Sequence, residues 1–224
     1  MTKPLSLHRQ RKRPQRRPLS NDDRAMGFTL MTPLVAKTIV ILTMVAWYII
    51  RFRHAHRSRR TPITHSHRDR REQLLLIISL CGLGAVPFIY IVTGFPWFAD
   101  YPFRPAQAWL GLICAIGTVV LFRLTHKALG RNWSVSLDLR ENHRLVAEGI
   151  YRYVRHPMYS AFWLWAVAQA LLLPNWIAGP AGLVGFGILY FGRISREEQM
   201  MLKQFGAEYR DYMDKTSRII PKIY

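Results

Sequence analysis

Acidic residues are scarce in this chain. Asp and Glu together number 13 against 32 Lys and Arg, which leaves a formal net charge of +19 over 224 residues. That imbalance suits nucleic acid or an anionic membrane surface as a partner. A second shortage speaks against nucleic acid: no recognition helix, zinc module or aromatic-interleaved sheet pattern accompanies the charge. Cysteine is rare as well. Cys81 and Cys114 both lie in apolar sequence, where a thiol behaves as a small hydrophobe, so neither reports on redox compartment. G-x-S-x-G, H-E-x-x-H and Walker motifs are missing, which leaves hydrolase and ATPase chemistry without support. Gly182, Gly185, Gly187 and Gly192 follow no strand and lie in an apolar helix, where close helix packing accounts for them better than a dinucleotide loop. His54, His56, His65 and His67 form two H-x-H pairs with no carboxylate or thiol cluster to complete a ligand set, so no metal is expected.

Apolar sequence, by contrast, is abundant and comes in blocks. Half the residues are hydrophobic, and the windows 33–50, 73–93, 107–122, 159–173 and 175–192 are nearly free of charge. A crossing of the hydrocarbon core takes about 20 such residues. The expected fold class is therefore all-α, an integral membrane bundle of five transmembrane helices with the fourth somewhat short.

The chain divides into a basic tail at 1–32, expected to be disordered and solvated, membrane helices with a basic connector at 33–124, and a motif-bearing region at 125–224. The tail is not a secretory signal, because the first apolar block starts late and lacks a small-residue cleavage site. The second span is expected to kink near Pro87. The aromatic, charge-poor loop 94–105 suits the non-cytoplasmic interface. Connectors 51–72 and 125–158 and the C-terminal tail, rich in Lys and Arg, belong to the cytoplasmic side. The first span has two about equally basic flanks, so the side of its tail and whether block 33–50 fully crosses are left open. Two helices turning tightly at Pro174-Asn175 and ending at Gly192 are expected next. An amphipathic helix follows, with Met201, Leu202, Phe205, Tyr209 and Tyr212 at helical spacing.

Residues with chemical potential concentrate in two places. The stretch H-R-L-V-A-E-G-I-Y-R-Y-V-R-H-P-M-Y, 143–159, is dense in groups that bind rather than pack, and both ends run toward apolar sequence. His156-Pro157 suits a helix start, though composition alone would make Arg155 and His156 a simple membrane anchor. Arg193 and Glu197 share one helix face at the cytoplasmic end of the last span. A surface ion pair is the plain alternative, but ionisable groups at a membrane boundary are functional candidates where they face a polar cavity.

Taken with L-G-R-N-W-S at 129–134 and R-I-S-R-E-E…F-G-A-E-Y-R-D-Y at 193–212, these stretches resemble the isoprenylcysteine carboxyl methyltransferase family and its bacterial members. Phospholipid N-methyltransferases belong to the same wider group. The resemblance covers about 107–221, with Ile150 where many relatives have proline and Ala161 where many have glycine. It implies S-adenosyl-L-methionine as cofactor, in a cytoplasm-facing pocket lined by His143, Arg144, Leu145, Val146, Tyr151, His156, Pro157, Met158, Tyr159 and Glu197. It implies that Arg193 holds the methyl acceptor.

The expected activity is methyl transfer to a lipid-like or prenylated acceptor, in first place an isoprenylcysteine carboxylate, by a protein of the bacterial inner membrane. Aromatic faces suit the cofactor's cation, and carboxylates its ammonium. An ionised carboxylate acceptor needs no general base, which favours it over an amine beside Arg193. Three alternatives stand: lipid amine methylation, a sterol-reductase-like membrane enzyme, and a non-enzymatic basic protein that gathers anionic lipid. The oligomeric state is not legible.

Overall fold

The computed structural model describes residues 30–58, 63–66, 69–129, 138–140 and 145–223. The fold is helical. Helix α1 spans Pro33–Ser58, α2 Arg70–Leu80, α3 Val86–Thr93, α4 Pro105–Leu129, α5 Pro157–Leu172, α6 Ala181–Phe205 and α7 Ala207–Lys215. The exception to an all-α expectation is a short antiparallel ribbon, β1 (Ile63–Ser66) with β2 (Asp138–Arg140), which joins the two long connectors.

Among the described residues, three helical stretches are long and apolar enough to cross a membrane: Pro33–Arg53, Arg70–Thr93 and Pro105–Leu129. Large apolar side chains such as Leu42, Leu74, Ile113 and Val92 remain exposed along them, a surface that suits lipid and not water. The chain is an integral membrane protein. The fourth expected span is α5, only 16 residues long, and the fifth is the apolar half of α6.

Arg70–Thr93 runs as one helical rod with an internal π-turn at Cys81–Ala85, where the Val86 N–H reaches back to the Cys81 carbonyl. The expected disturbance near Pro87 is this π-turn. Proline has no N–H to give to the helix ladder, and the π-turn directly before it is where the rod departs from α-helical pairing. The π-turn also brings Gly82 against α6. A Cβ on Gly82 would lie 2.3 Å from the Ala181 carbonyl oxygen, and one on Gly185 would lie 2.8 Å from that of Ile78. Buried Gln169 of α5 locks the junction, its amide nitrogen donating to the carbonyls of Gly82, Ala178 and Gly179.

Two boundaries differ from expectation. The turn at Pro174-Asn175 is a longer connection, and α6 begins only at Ala181. Asn175 organises it, accepting from the N–H groups of Ile177 and Ala178 while donating to Pro96 O and Asp100. No break falls at Gly192 either: α6 continues to Phe205 and stops where Gly206 takes φ 56°. Gly192 is helical and serves packing, since a Cβ there would press on Leu75 at 3.1–3.2 Å. Met201, Leu202 and Phe205 therefore belong to α6, and Tyr209 and Tyr212 to α7.

Candidate active site

Helix α1, the rod Arg70–Thr93, the first half of α5, α6 and α7 surround a cavity of about 910 Å³. Leu145, Val146, Tyr151, His156, Met158 and Tyr159 border it, and Arg193 and Glu197 do so from α6. Two separate stretches of sequence are thus brought to one chamber. Pro157 does not border it, and instead opens α5 directly behind His156. His143 and Arg144 lie outside the described residues, as does the L-G-R-N-W-S motif beyond Leu129; His54, His56, His65 and His67 have no described side chains.

The polar end is a connected set of ion pairs. Arg193 places Nη1 2.9 Å from Glu72 Oε1 and Nε 3.6 Å from Glu197 Oε2. Tyr159 donates its hydroxyl to Glu197 Oε2, and its ring stacks on His156 at 5.4 Å. The His156 ring nitrogens stand 3.9 Å from Glu197 and 3.5 Å from Glu198. His156 is buried, which removes the reading of a simple surface anchor.

Glu198 is a second hub. Arg155 donates to it at 3.2 Å, and Arg218 grips both its oxygens at 2.9–3.2 Å. The same contacts fasten the C-terminal segment across the start of α5. The Arg155 and His156 N–H groups donate to the carbonyls of Ser217 and Arg218, and the Ser160 hydroxyl donates to Ile219 O. Burial alone would raise the Glu198 pKa, but hydrogen bonds and charge from His156 and Arg218 outweigh it and hold the carboxyl at about 2. A depressed carboxyl stabilises the fold above its unfolded pKa, ordinarily near 4.3, and that contribution disappears as pH falls toward the folded value. In detergent, wild-type thermal stability should therefore fall between about pH 4.5 and 2. Glu198→Gln should be less stable near pH 7 and flatter across that window. A wild-type profile with the same slope as the variant's would contradict this.

Tyrosines close the chamber. Tyr209 and Tyr212 border it from α7, and the Tyr212 hydroxyl donates to Tyr151 O at 2.6 Å. Burial holds the Tyr151 pKa well above the ordinary phenol value and raises that of Tyr212 to about 12. Both stay neutral near pH 7 and offer ring faces and hydroxyls, not bases.

The other end of the cavity is apolar. Met44, Val45 and Tyr48 of α1 and Ile77, Leu80 and Leu83 of the second rod line it. Val45, Tyr48, Ile77 and Leu80 are also solvent-exposed. Helix α1 packs mainly on α4 and α5 and meets α2 at most marginally, so this lane opens sideways between α1 and α2. Its inner wall is aromatic, with Trp47 edge-on to Trp165 at 5.6 Å.

Known proteins match this half of the chain. The sequence model of the isoprenylcysteine carboxyl methyltransferase (ICMT) family matches residues 109–203. A protein-S-isoprenylcysteine O-methyltransferase of Arabidopsis thaliana, form B, is 30% identical over 141 residues, covering 59% of this chain and 72% of that protein. A probable protein-S-isoprenylcysteine O-methyltransferase of Oryza sativa subsp. indica is 30% identical over 131 residues, 58% of this chain and 67% of its own length. The chain belongs to the isoprenylcysteine carboxyl methyltransferase family. The Dictyostelium discoideum protein-S-isoprenylcysteine O-methyltransferase is 32% identical over 52% of this chain, and the match spans 50% of that protein. A solved structure of the eukaryotic intramembrane Ras methyltransferase ICMT aligns with a TM-score of 0.47 at 24% identity, over 71% of this chain and 55% of that one.

The family match ends short of the first two rods. Within the ion-pair network around Arg193, one side chain lies there and escaped the sequence reading: Glu72, within the R-R-E-Q end of the basic connector. Its signal was a carboxylate at the very edge of an apolar block, after a run of arginines. Tyr209 and Tyr212 were legible as an amphipathic stripe but not as cavity lining.

Proposed function

We propose that this chain transfers the methyl group of S-adenosylmethionine to the carboxylate of an isoprenylcysteine-like acceptor held in the membrane. One observation carries the proposal. Arg193, Glu197, His156 and Tyr159 meet at the polar end of a cavity whose other end is an apolar lane opening between α1 and α2. A charged head group and a hydrocarbon tail have separate places in one chamber.

The residues present fit the cofactor. Glu197 presents to the cavity a carboxylate that Arg193 approaches only at 3.6 Å, a partner for the cofactor's ammonium. Buried tyrosine rings at 151, 159, 209 and 212 suit a cation and an adenine. S-adenosylmethionine supplies an activated methyl on a sulfonium cation, together with an ammonium, a carboxylate and an adenine. Leu145, Val146, Tyr151, His156, Met158, Tyr159 and Glu197 would hold it, with His143 and Arg144 adjoining in sequence.

The acceptor carboxylate is ionised near pH 7, so these residues have no proton to remove. Their work is to align the acceptor oxygen in line and to exclude water. Arg193 would orient the carboxylate, and the lane lined by Met44, Val45 and Leu80 would take the prenyl chain. On this reading, residues 33–124 supply the lipid side and residues 125–224 the cofactor side. The positive-inside rule, applied to the arginine-rich connectors, supports a polar end that would face the cytoplasm of a bacterial inner membrane, with the connectors drawing anionic lipid.

Calorimetric titration of S-adenosylhomocysteine into the detergent-purified protein tests the cofactor site. Saturable binding is expected in the wild type, with His156→Ala and Glu197→Ala each weakening it by about tenfold or more while the protein stays folded. Wild-type protein that binds none, in detergent or in lipid, would contradict the proposal.

A further inference from the structure

Glu72 is the most buried acid of the molecule among the described residues, with 1% of its surface exposed, and it does not border the cavity. Its partner Arg193, at 8% exposure, does. The pair joins the first turn of α2 to the middle of α6, with Arg193 extending between Glu72 on one side and Glu197 on the other.

A cross-brace between helices would be the ordinary account of such a pair, but these two helices are braced without it. Asp69 and Arg196 form an exposed pair at 3.0 Å, Arg71 donates to the Gly192 carbonyl at 3.2 Å, and Gly82 and Gly185 interlock further along. A buried ion pair carries a desolvation cost that apolar side chains of the same volume avoid. What distinguishes Glu72 from the surface contacts is its effect on Arg193. Glu197 is one helical turn away from Arg193 on the same helix and is within its reach. With Glu72 drawing Nη1 away, the approach of Arg193 to Glu197 stays long, at 3.6 Å.

We propose that Glu72 is a positioning residue: it holds Arg193 from behind, off Glu197, and so fixes the guanidinium that receives the acceptor carboxylate. This inference rests on the methyl-transfer reading above. It gives the membrane-embedded N-terminal half a direct part in the chemistry, through a residue outside the matched region 109–203.

The test compares wild type, Glu72→Gln, Glu72→Asp and Arg196→Gln in detergent. The readouts are S-adenosylhomocysteine affinity by calorimetry and steady-state methylation of an N-acetylated farnesylcysteine. Glu72→Gln should lower kcat/KM for the acceptor by about 30-fold, with the cofactor-product affinity within about threefold of wild type. Glu72→Asp, which restores the charge, should recover part of the loss. Arg196→Gln breaks only the surface brace and should match wild type. Wild-type acceptor kinetics in Glu72→Gln would overturn the proposal, and so would a loss of cofactor affinity as large as the loss of turnover. If Glu72→Gln does not fold, Glu72→Asp decides by the same criteria: impaired acceptor kinetics at intact affinity support the assignment, and unchanged kinetics overturn it. Failure of the methyl-transfer reading shows separately, as wild-type protein that neither binds nor turns over.

Discussion

Arg193→Lys is expected to lower kcat/KM for the acceptor by about 100-fold while leaving S-adenosylhomocysteine binding near its wild-type value. A guanidinium offers donors along more than one edge, so a single side chain can face Glu72 through Nη1 and still present N–H groups elsewhere. A lysine ammonium is a point charge on a different stem, and it would settle between Glu72 and Glu197 without a planar face for a carboxylate. The lysine variant is more informative than alanine, because Arg193→Ala would leave Glu72 charged and buried without its partner, a loss of about 3–5 kcal/mol. Steady-state kinetics alongside calorimetry separate the two effects. Equal losses in affinity and turnover would move Arg193 from the acceptor to the cofactor.

The second large effect concerns the fold. Gly82→Ala should destabilise the protein by about 1–3 kcal/mol or more, as should Gly185→Ala. Each added Cβ meets backbone, at 2.3 Å from Ala181 O and 2.8 Å from Ile78 O. A flexible side chain could swing away, whereas a helix backbone has to move as a unit. Separating α2 from α6 also pulls Glu72 from Arg193, so both variants should lose acceptor turnover in parallel with stability. Thermal unfolding in detergent measures the first effect. Gly84→Ala is the control, since its Cβ would meet only side-chain atoms at 3.7–4.0 Å, and it should unfold at the wild-type temperature.

The sequence carries the site unevenly, for physical reasons. His156, Tyr159, Arg193 and Glu197 stand out because polar groups bordering charge-free blocks have few structural uses. The glycines of 182–192 were legible as packing residues, and the approaches of Gly182 to Leu83 and Gln169, Gly185 to Ile78, and Gly192 to Leu75 are that packing. Glu72 was hidden because its burial comes from α6, a helix far away in sequence, while locally it looks like part of a solvated arginine-rich connector. The continuity of α6 past Gly192 was hidden for a related reason. A change from apolar to charged sequence marks where a helix changes surroundings, and it need not mark where the helix ends. The actual stop, at Gly206, is a backbone event at positive φ that hydropathy does not report.

The most direct measurement is the chemistry of the product. Purified protein in lipid vesicles would be incubated with S-adenosylmethionine labelled in its methyl group and an N-acetylated farnesylcysteine, and the recovered lipid treated with mild base. The account predicts label in the lipid that is released as methanol, the signature of a carboxyl methyl ester, and about 100-fold less of it with Arg193→Lys. Label that survives base would indicate methyl transfer to another atom, and an unlabelled lipid from protein that binds S-adenosylhomocysteine would mean a different acceptor. Either result would contradict the assignment of Arg193 to an isoprenylcysteine carboxylate.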